Sequence, residues 1–119
     1  MPFVSSALDN FECLDIINVF NEVISIAGST NADIITYVVP PDKDFYLLRS
    51  AVSGDNYAYY FVTIDGISID KIRTSRDNFD LERNYDGVKV LSGSIIKVVV
   101  ENFRNTASDF NARITGSLI

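Results

Sequence analysis

The sequence contains no histidine, and this absence removes more chemistry than any other. Without imidazole there is no ordinary general base near neutral pH and no partner to activate a nucleophilic serine or thiolate. Cysteine is nearly absent too. Cys13 stands alone, so no internal disulfide can form, and one thiol without imidazole excludes a zinc site. Cys13 reads as a small hydrophobe within an apolar segment. The six glycines read as falling singly at turns, which leaves no glycine-rich phosphate loop. None of the serines sits in a Gly-x-Ser-x-Gly elbow. No cofactor is expected, and no catalytic residue can be nominated.

Basic residues are also scarce. Ten lysines and arginines face sixteen acids, for a net charge of −6, and the isoelectric point is about 4.4. Nucleic-acid binding requires a dense basic patch, so this balance argues against it. The nearest approach to a cluster is Lys71, Arg73 and Arg76, interrupted by Asp70 and Asp77, which reads as a solvated strand end. The start, Met1-Pro2-Phe3-Val4-Ser5, lacks the basic residues of a signal peptide. No apolar run approaches the roughly 18 residues that span a membrane. The expectation is a protein made and folded in the cytoplasm, with no membrane partner.

The acids deserve a hearing, because glycosidases need only two carboxylates. Asp65 and Asp70 flank one hairpin, and Asp77, Asp80 and Glu82 follow close together. A catalytic pair needs one shielded carboxyl with a raised pKa, whereas the neighbours here are Gly, Ser, Lys and Arg. Turn-forming, solvated aspartates are the expected reading. A calcium loop of the Asp-x-Asp-x-Asp-Gly type is missing, and no metal is assigned.

What remains is a β-rich chain. Its 119 residues suit one domain, and 47% hydrophobic with 22% charged residues is an ordinary globular composition. Residues 1–20 are apolar without turn signals, and Leu8, Phe11, Leu14 and Ile17 recur at every third position, a spacing that fits neither helix nor strand. They read as an N-terminal arm preceding a domain at 21–119. From Glu22 onward strands are expected at 23–27, 33–39, 45–53, 57–64, 67–73, 88–90, 94–102 and 109–119, with 79–81 as a further candidate for a short strand. Gly28-Ser29-Thr30-Asn31, Pro40-Pro41, Gly54-Asp55-Asn56, Asp65-Gly66, Tyr85-Asp86-Gly87 and Ser92-Gly93 punctuate them. Ile95, Ile96 and Val98 to Val100 mark a central strand covered on both sides. In the last strand Phe110, Ala112 and Ile114 oppose Asn111, Arg113 and Thr115. About eight short strands at this spacing predict an all-β, jelly-roll-like antiparallel sandwich.

Tyr57, Tyr59 and Phe61 share one strand face, opposite Ala58, Tyr60 and Val62. One face must be core. The other either leaves tyrosine hydroxyls at the sandwich rim or presents an aromatic strip that stacks on a sugar or a protein. Tyr57 and Tyr59 are the candidate ligand-stacking residues.

Several segments together resemble small β-sandwich domains of tailed-phage virions. They are Tyr37 through Leu48, Ser53-Gly54-Asp55-Asn56, Ile64-Asp65-Gly66, Lys71 through Thr74, Val88-Lys89-Val90-Leu91, and Ala107-Ser108-Asp109-Phe110 through Gly116-Ser117-Leu118-Ile119. The resemblance covers about Asn21 to Ile119. It differs in having Asp42 where a glycine usually precedes the lysine, and Ser92-Gly93-Ser94 for the usual Ala-Gly-Asp. It implies a virion structural protein without enzymatic activity, either a capsid decoration (cement) protein or a tail, baseplate or fibre module.

Together with the arm, this leads to the expectation of a homo-trimeric capsid decoration protein. About 20 extended residues reach roughly 65 Å, far enough to lie on a neighbouring subunit. Phe3, Leu8, Phe11, Leu14 and Ile17 are the expected partner-binding residues, their burial offsetting the entropy of ordering the arm. The alternative is a tail or fibre module that binds a host-surface carbohydrate or receptor through Tyr57 and Tyr59.

Overall fold

A computed structural model describes residues 15–54, 58–74, 80–104 and 106–119. Eight antiparallel strands make up two sheets: β1 (Asp15–Ile26), β2 (Thr30–Val38), β3 (Phe45–Gly54), β4 (Ala58–Ile64), β5 (Ile67–Arg73), β6 (Asp80–Val90), β7 (Ile95–Asn102) and β8 (Ser108–Leu118). One sheet has the order β1-β8-β3-β6 and the other β2-β7-β4-β5. The pairing is nested: β1 with β8, β2 with β7, β3 with β6 and β4 with β5. The chain is thus one long hairpin folded over on itself, and the β3–β8 and β4–β7 ladders close each sheet. This is the jelly roll that the sequence predicts.

Alternation puts one face of each strand into a shared core. In β7 Ile96, Val98 and Val100 are buried, and in β8 Phe110, Ala112 and Ile114 are buried against them. From β4 come Ala58, Tyr60 and Val62, with the Tyr60 ring edge-on to Phe110 at 6.0 Å. A register break at Ile34 in β2 turns two consecutive isoleucines inward, which strict alternation would not allow. β7 is central, as expected, but only its inner face is fully covered: Lys97, Val99 and Glu101 are half-exposed.

Three expectations are corrected by the strand boundaries. The arm boundary at residue 20 falls inside β1, because Asp15 to Val23 pair continuously with Leu118 to Phe110. Tyr85-Asp86-Gly87 is not a turn but a bulge within the continuous strand β6. Three residues there face the single Leu48 of β3, and Gly87 takes the left-handed φ of +74°. Gly116 lies in mid-strand rather than at a turn, beneath the buried ring of Phe45. By contrast Asp65 and Gly66, at φ +51° and +86°, form the expected two-residue hairpin.

At the open edge the sheets are joined by polar contacts. The Tyr85 hydroxyl, on a ring packed against the core next to the bulge in β6, donates to Asp70 Oδ2 of β5 at 2.7 Å and lies 2.9 Å from the hydroxyl of buried Ser50 in β3. Burial, the largest effect, pushes the Tyr85 phenol up to about 12; the Ser50 hydrogen bond lowers it, the Asp70 hydrogen bond and charge raise it, and the Arg83 charge lowers it. The raised value means that the folded state holds this proton more tightly than the unfolded chain. The associated stability is full below pH 10 and is lost as pH rises through about 12. Tyr85→Phe should cost about 1 kcal/mol at pH 8 in urea unfolding. The gap to wild type should shrink between pH 10 and 12, and a gap unchanged over that range would deny the phenol its role.

Candidate functional site

The expected arm residues separate at the first described position. Phe3, Leu8, Phe11 and Leu14 lie outside the described residues. Ile17 sits in β1 opposite Gly116, half-buried, and packs on this chain's own core with Val19 and Val23. Alternation turns Ile17 toward this chain's own core. It presents Ile16 and Phe20 outward instead, and the bulge at Ile24-Ser25 leaves Ile24 exposed beyond them. These side chains are 49%, 63% and 66% exposed on an edge strand. Exposed Asn18 and Glu22 alternate with them, so the outer face of this twelve-residue edge is apolar but interrupted by one amide and one charge.

The chain enters β1 at an end of the sandwich where, among the described residues, several apolar side chains are exposed. Asp15 pairs with Leu118, which pairs with Phe45, and Ile119 exchanges both backbone hydrogen bonds with Asp44. Beside them Gly93 donates to the Val39 carbonyl and Asp65 to the Ile95 carbonyl, which gathers the turns at 39–44, 65–66 and 91–94. Val38, Ile67, Leu91, Ile95 and Ile119 are exposed here. The apolar segment 1–14 therefore joins the domain beside this apolar end.

The second candidate lies on the outer face of the other sheet. Tyr57 is outside the described residues. Tyr59 and Phe61 are on the outer face, since Ala58, Tyr60 and Val62 form the core. Tyr59 packs on Phe103 at 5.1 Å and on Phe61 at 6.5 Å between ring centroids. Lys71 Nζ lies 4.2 Å from the Tyr59 ring centre and 5.6 Å from that of Phe61, and the Arg73 guanidinium is 5.7 Å from Tyr59. The register explains this: Tyr59 faces Arg73, and Phe61 faces Lys71. Lys71 and Arg73, expected as a solvated strand end, instead hold their cations over aromatic faces. Part of the surface a sugar would use on Tyr59 is already occupied.

The acids are tied into the fold. Asp65 Oδ1 accepts the Ile95 N–H at 2.9 Å, and Asp70 accepts its neighbour's amide and the Tyr85 hydroxyl. Glu82 lies 4.0 Å from Arg49. Asp77 and the Asp80 side chain are outside the described residues. Among the described residues no group of three or more acids or cysteines could hold a metal ion, and no helix is long and apolar enough to cross a membrane.

Among the described residues, fold and surface define an eight-stranded jelly roll with a largely apolar β1 edge, an apolar end beside it and an aromatic–cationic outer face. No family model, curated protein or solved structure matches the chain.

Proposed function

We propose that this chain is a non-enzymatic structural protein of a phage particle, a capsid decoration protein that grips the shell through its N-terminal segment. One observation carries the reading. The apolar segment 1–14 leads into an edge strand whose outward side chains include exposed Ile16, Phe20 and Ile24, interleaved with Asn18 and Glu22, beside an apolar end of the sandwich. Such a surface continuous with such a segment fits burial against a neighbouring subunit. The order of motifs shared with phage virion sandwiches supports the phage assignment. The net charge of −6 supports a protein partner over a nucleic acid. A trimer remains part of the proposal, because three copies around a local axis would bring three such segments onto one shell site.

The second reading is a tail, baseplate or fibre module that binds a host-surface carbohydrate or receptor. The Tyr59–Phe61–Phe103 cluster favours it, although Lys71 covers part of that surface. Immunogold microscopy of particles, with antibody raised against the purified chain, separates the two. The decoration reading expects label spread evenly over heads. Label confined to tails would support the second reading instead.

A further inference from the structure

The outer face of the β1-β8-β3-β6 sheet carries a recess of about 180 Å³ lined by Asn18, Arg49, Ala51, Glu82, Arg113 and Thr115. The register builds it. Across the sheet Asn18 faces Thr115, which faces Arg49, and in the next row Phe20 faces Arg113, which faces Ala51, which faces Glu82. Ala51, the smallest side chain here, forms the floor between two diagonally placed arginines. Like charges at that spacing repel unless something neutralises them.

The two arginines are unequally satisfied. Arg49 has a loose partner in Glu82 at 4.0 Å, with both side chains about half-exposed. Arg113 forms no ion pair among the described residues, in a protein with six more acids than bases. Its neighbours are equipped for hydroxyls. Thr115, nine-tenths buried, donates its hydroxyl proton to Asn18 Oδ1 at 2.7 Å. That bond fixes the polarity of the rim, leaving Thr115 Oγ1 as an acceptor and the Asn18 amide N–H groups as donors. Directly across from Arg113 stands Phe20, with an exposed ring that can cover the apolar face of a pyranose.

We infer that this recess binds an acidic monosaccharide unit, with the carboxylate on Arg113, ring hydroxyls on Asn18, Thr115 and Glu82, and one sugar face on Phe20. The planar guanidinium fork matches a carboxylate better than a point cation such as an ammonium does. The volume is below the roughly 300–1,000 Å³ of sites for drug-sized ligands, which suits a single sugar ring. Glu82 limits the affinity by competing for Arg49 and by repelling the incoming acid. The site is that of the free chain, where Phe20 is exposed; docking of the β1 edge on a neighbouring subunit would compete with the sugar for that ring.

An NMR titration of the ¹⁵N-labelled full chain with glucuronate tests it, with glucose and acetate titrated at matched ionic strength. Glucuronate should shift the Arg113 and Arg49 Nε–H signals and the Ala51 amide along one saturable curve. Glucose and acetate should each bind at least tenfold more weakly. Arg113→Gln should weaken glucuronate at least tenfold, and Glu82→Gln should tighten it several-fold, a gain that damage to the fold would not produce. The inference is overturned if glucuronate gives no saturable shift at the recess. Equal binding of acetate would also overturn it, because the sugar ring would then contribute nothing, as would unchanged affinity in Arg113→Gln.

Discussion

Gly116→Ala should destabilise the domain by about 3 kcal/mol, at the upper end of what added methyl groups cost in packed interiors. A Cβ at this position would overlap the Phe45 ring and the Tyr46 carbonyl oxygen, well inside the 3.0 Å that real Cβ contacts respect. Neither neighbour has room to retreat. Phe45 is fully buried and packs on Tyr37 at 5.3 Å, and the Tyr46 carbonyl belongs to the strand paired with β8. For a domain of this size the melting temperature should fall by roughly 10–15 °C. Adding Phe45→Leu should recover only part of the loss, since the backbone clash remains. A Gly116→Ala protein that melts within 3 °C of wild type, a change of well under about 1 kcal/mol, would show that the β3–β8 approach is looser than described.

Asn102→Asp should be at least as damaging, though it changes hardly any volume. Asn102 is fully buried at the end of β7. Its amide nitrogen donates to the carbonyls of Ile26 at 3.0 Å and Thr106 at 3.0 Å, with Ala27 at 3.4 Å, and its oxygen accepts the Arg104 N–H at 3.2 Å. One side chain thus joins the β1–β2 connection to the β7–β8 connection, across up to 76 residues of sequence. A carboxylate keeps the acceptor but turns both donors into a negative charge among carbonyl oxygens. The expected loss at pH 7 is about 3–4 kcal/mol. Because burial favours the protonated form, the deficit relative to wild type should narrow as pH falls towards 4. Urea midpoints of the two proteins across that range would show it, and a constant deficit would contradict it.

These two residues also show where sequence reasoning stops. Strand identity was legible wherever alternation coincided with turn chemistry, as in Asp65-Gly66 followed by Ile67 to Arg73, or in Phe110, Ala112 and Ile114 of β8. The first half of β1 was not, because Ile16 and Phe20 point outward while Ile17 and Val19 point inward. Apolar residues on both faces erase the period-two signal. Tyr85-Asp86-Gly87 was misread because a left-handed glycine serves a bulge as well as a turn, and only the partner strand distinguishes them. Asn102 gives no local sign of its role, since its partners are remote in sequence. The arginine recess is likewise a product of register: Arg49 and Arg113 become neighbours only once β3 and β8 are paired.

The central claim is that the N-terminal segment is the grip and the jelly roll its carrier. Because residues 15–20 belong to β1, the informative truncation removes residues 1–14 alone and leaves both sheets whole. The truncated chain should melt within a few degrees of the full one. Mixed with undecorated shells and sedimented, it should bind at least a hundredfold more weakly, the loss expected when several large apolar anchors, each worth about 1.5–3 kcal/mol when fully buried, are removed. Full occupancy of the shells by a folded chain lacking residues 1–14 would contradict the account.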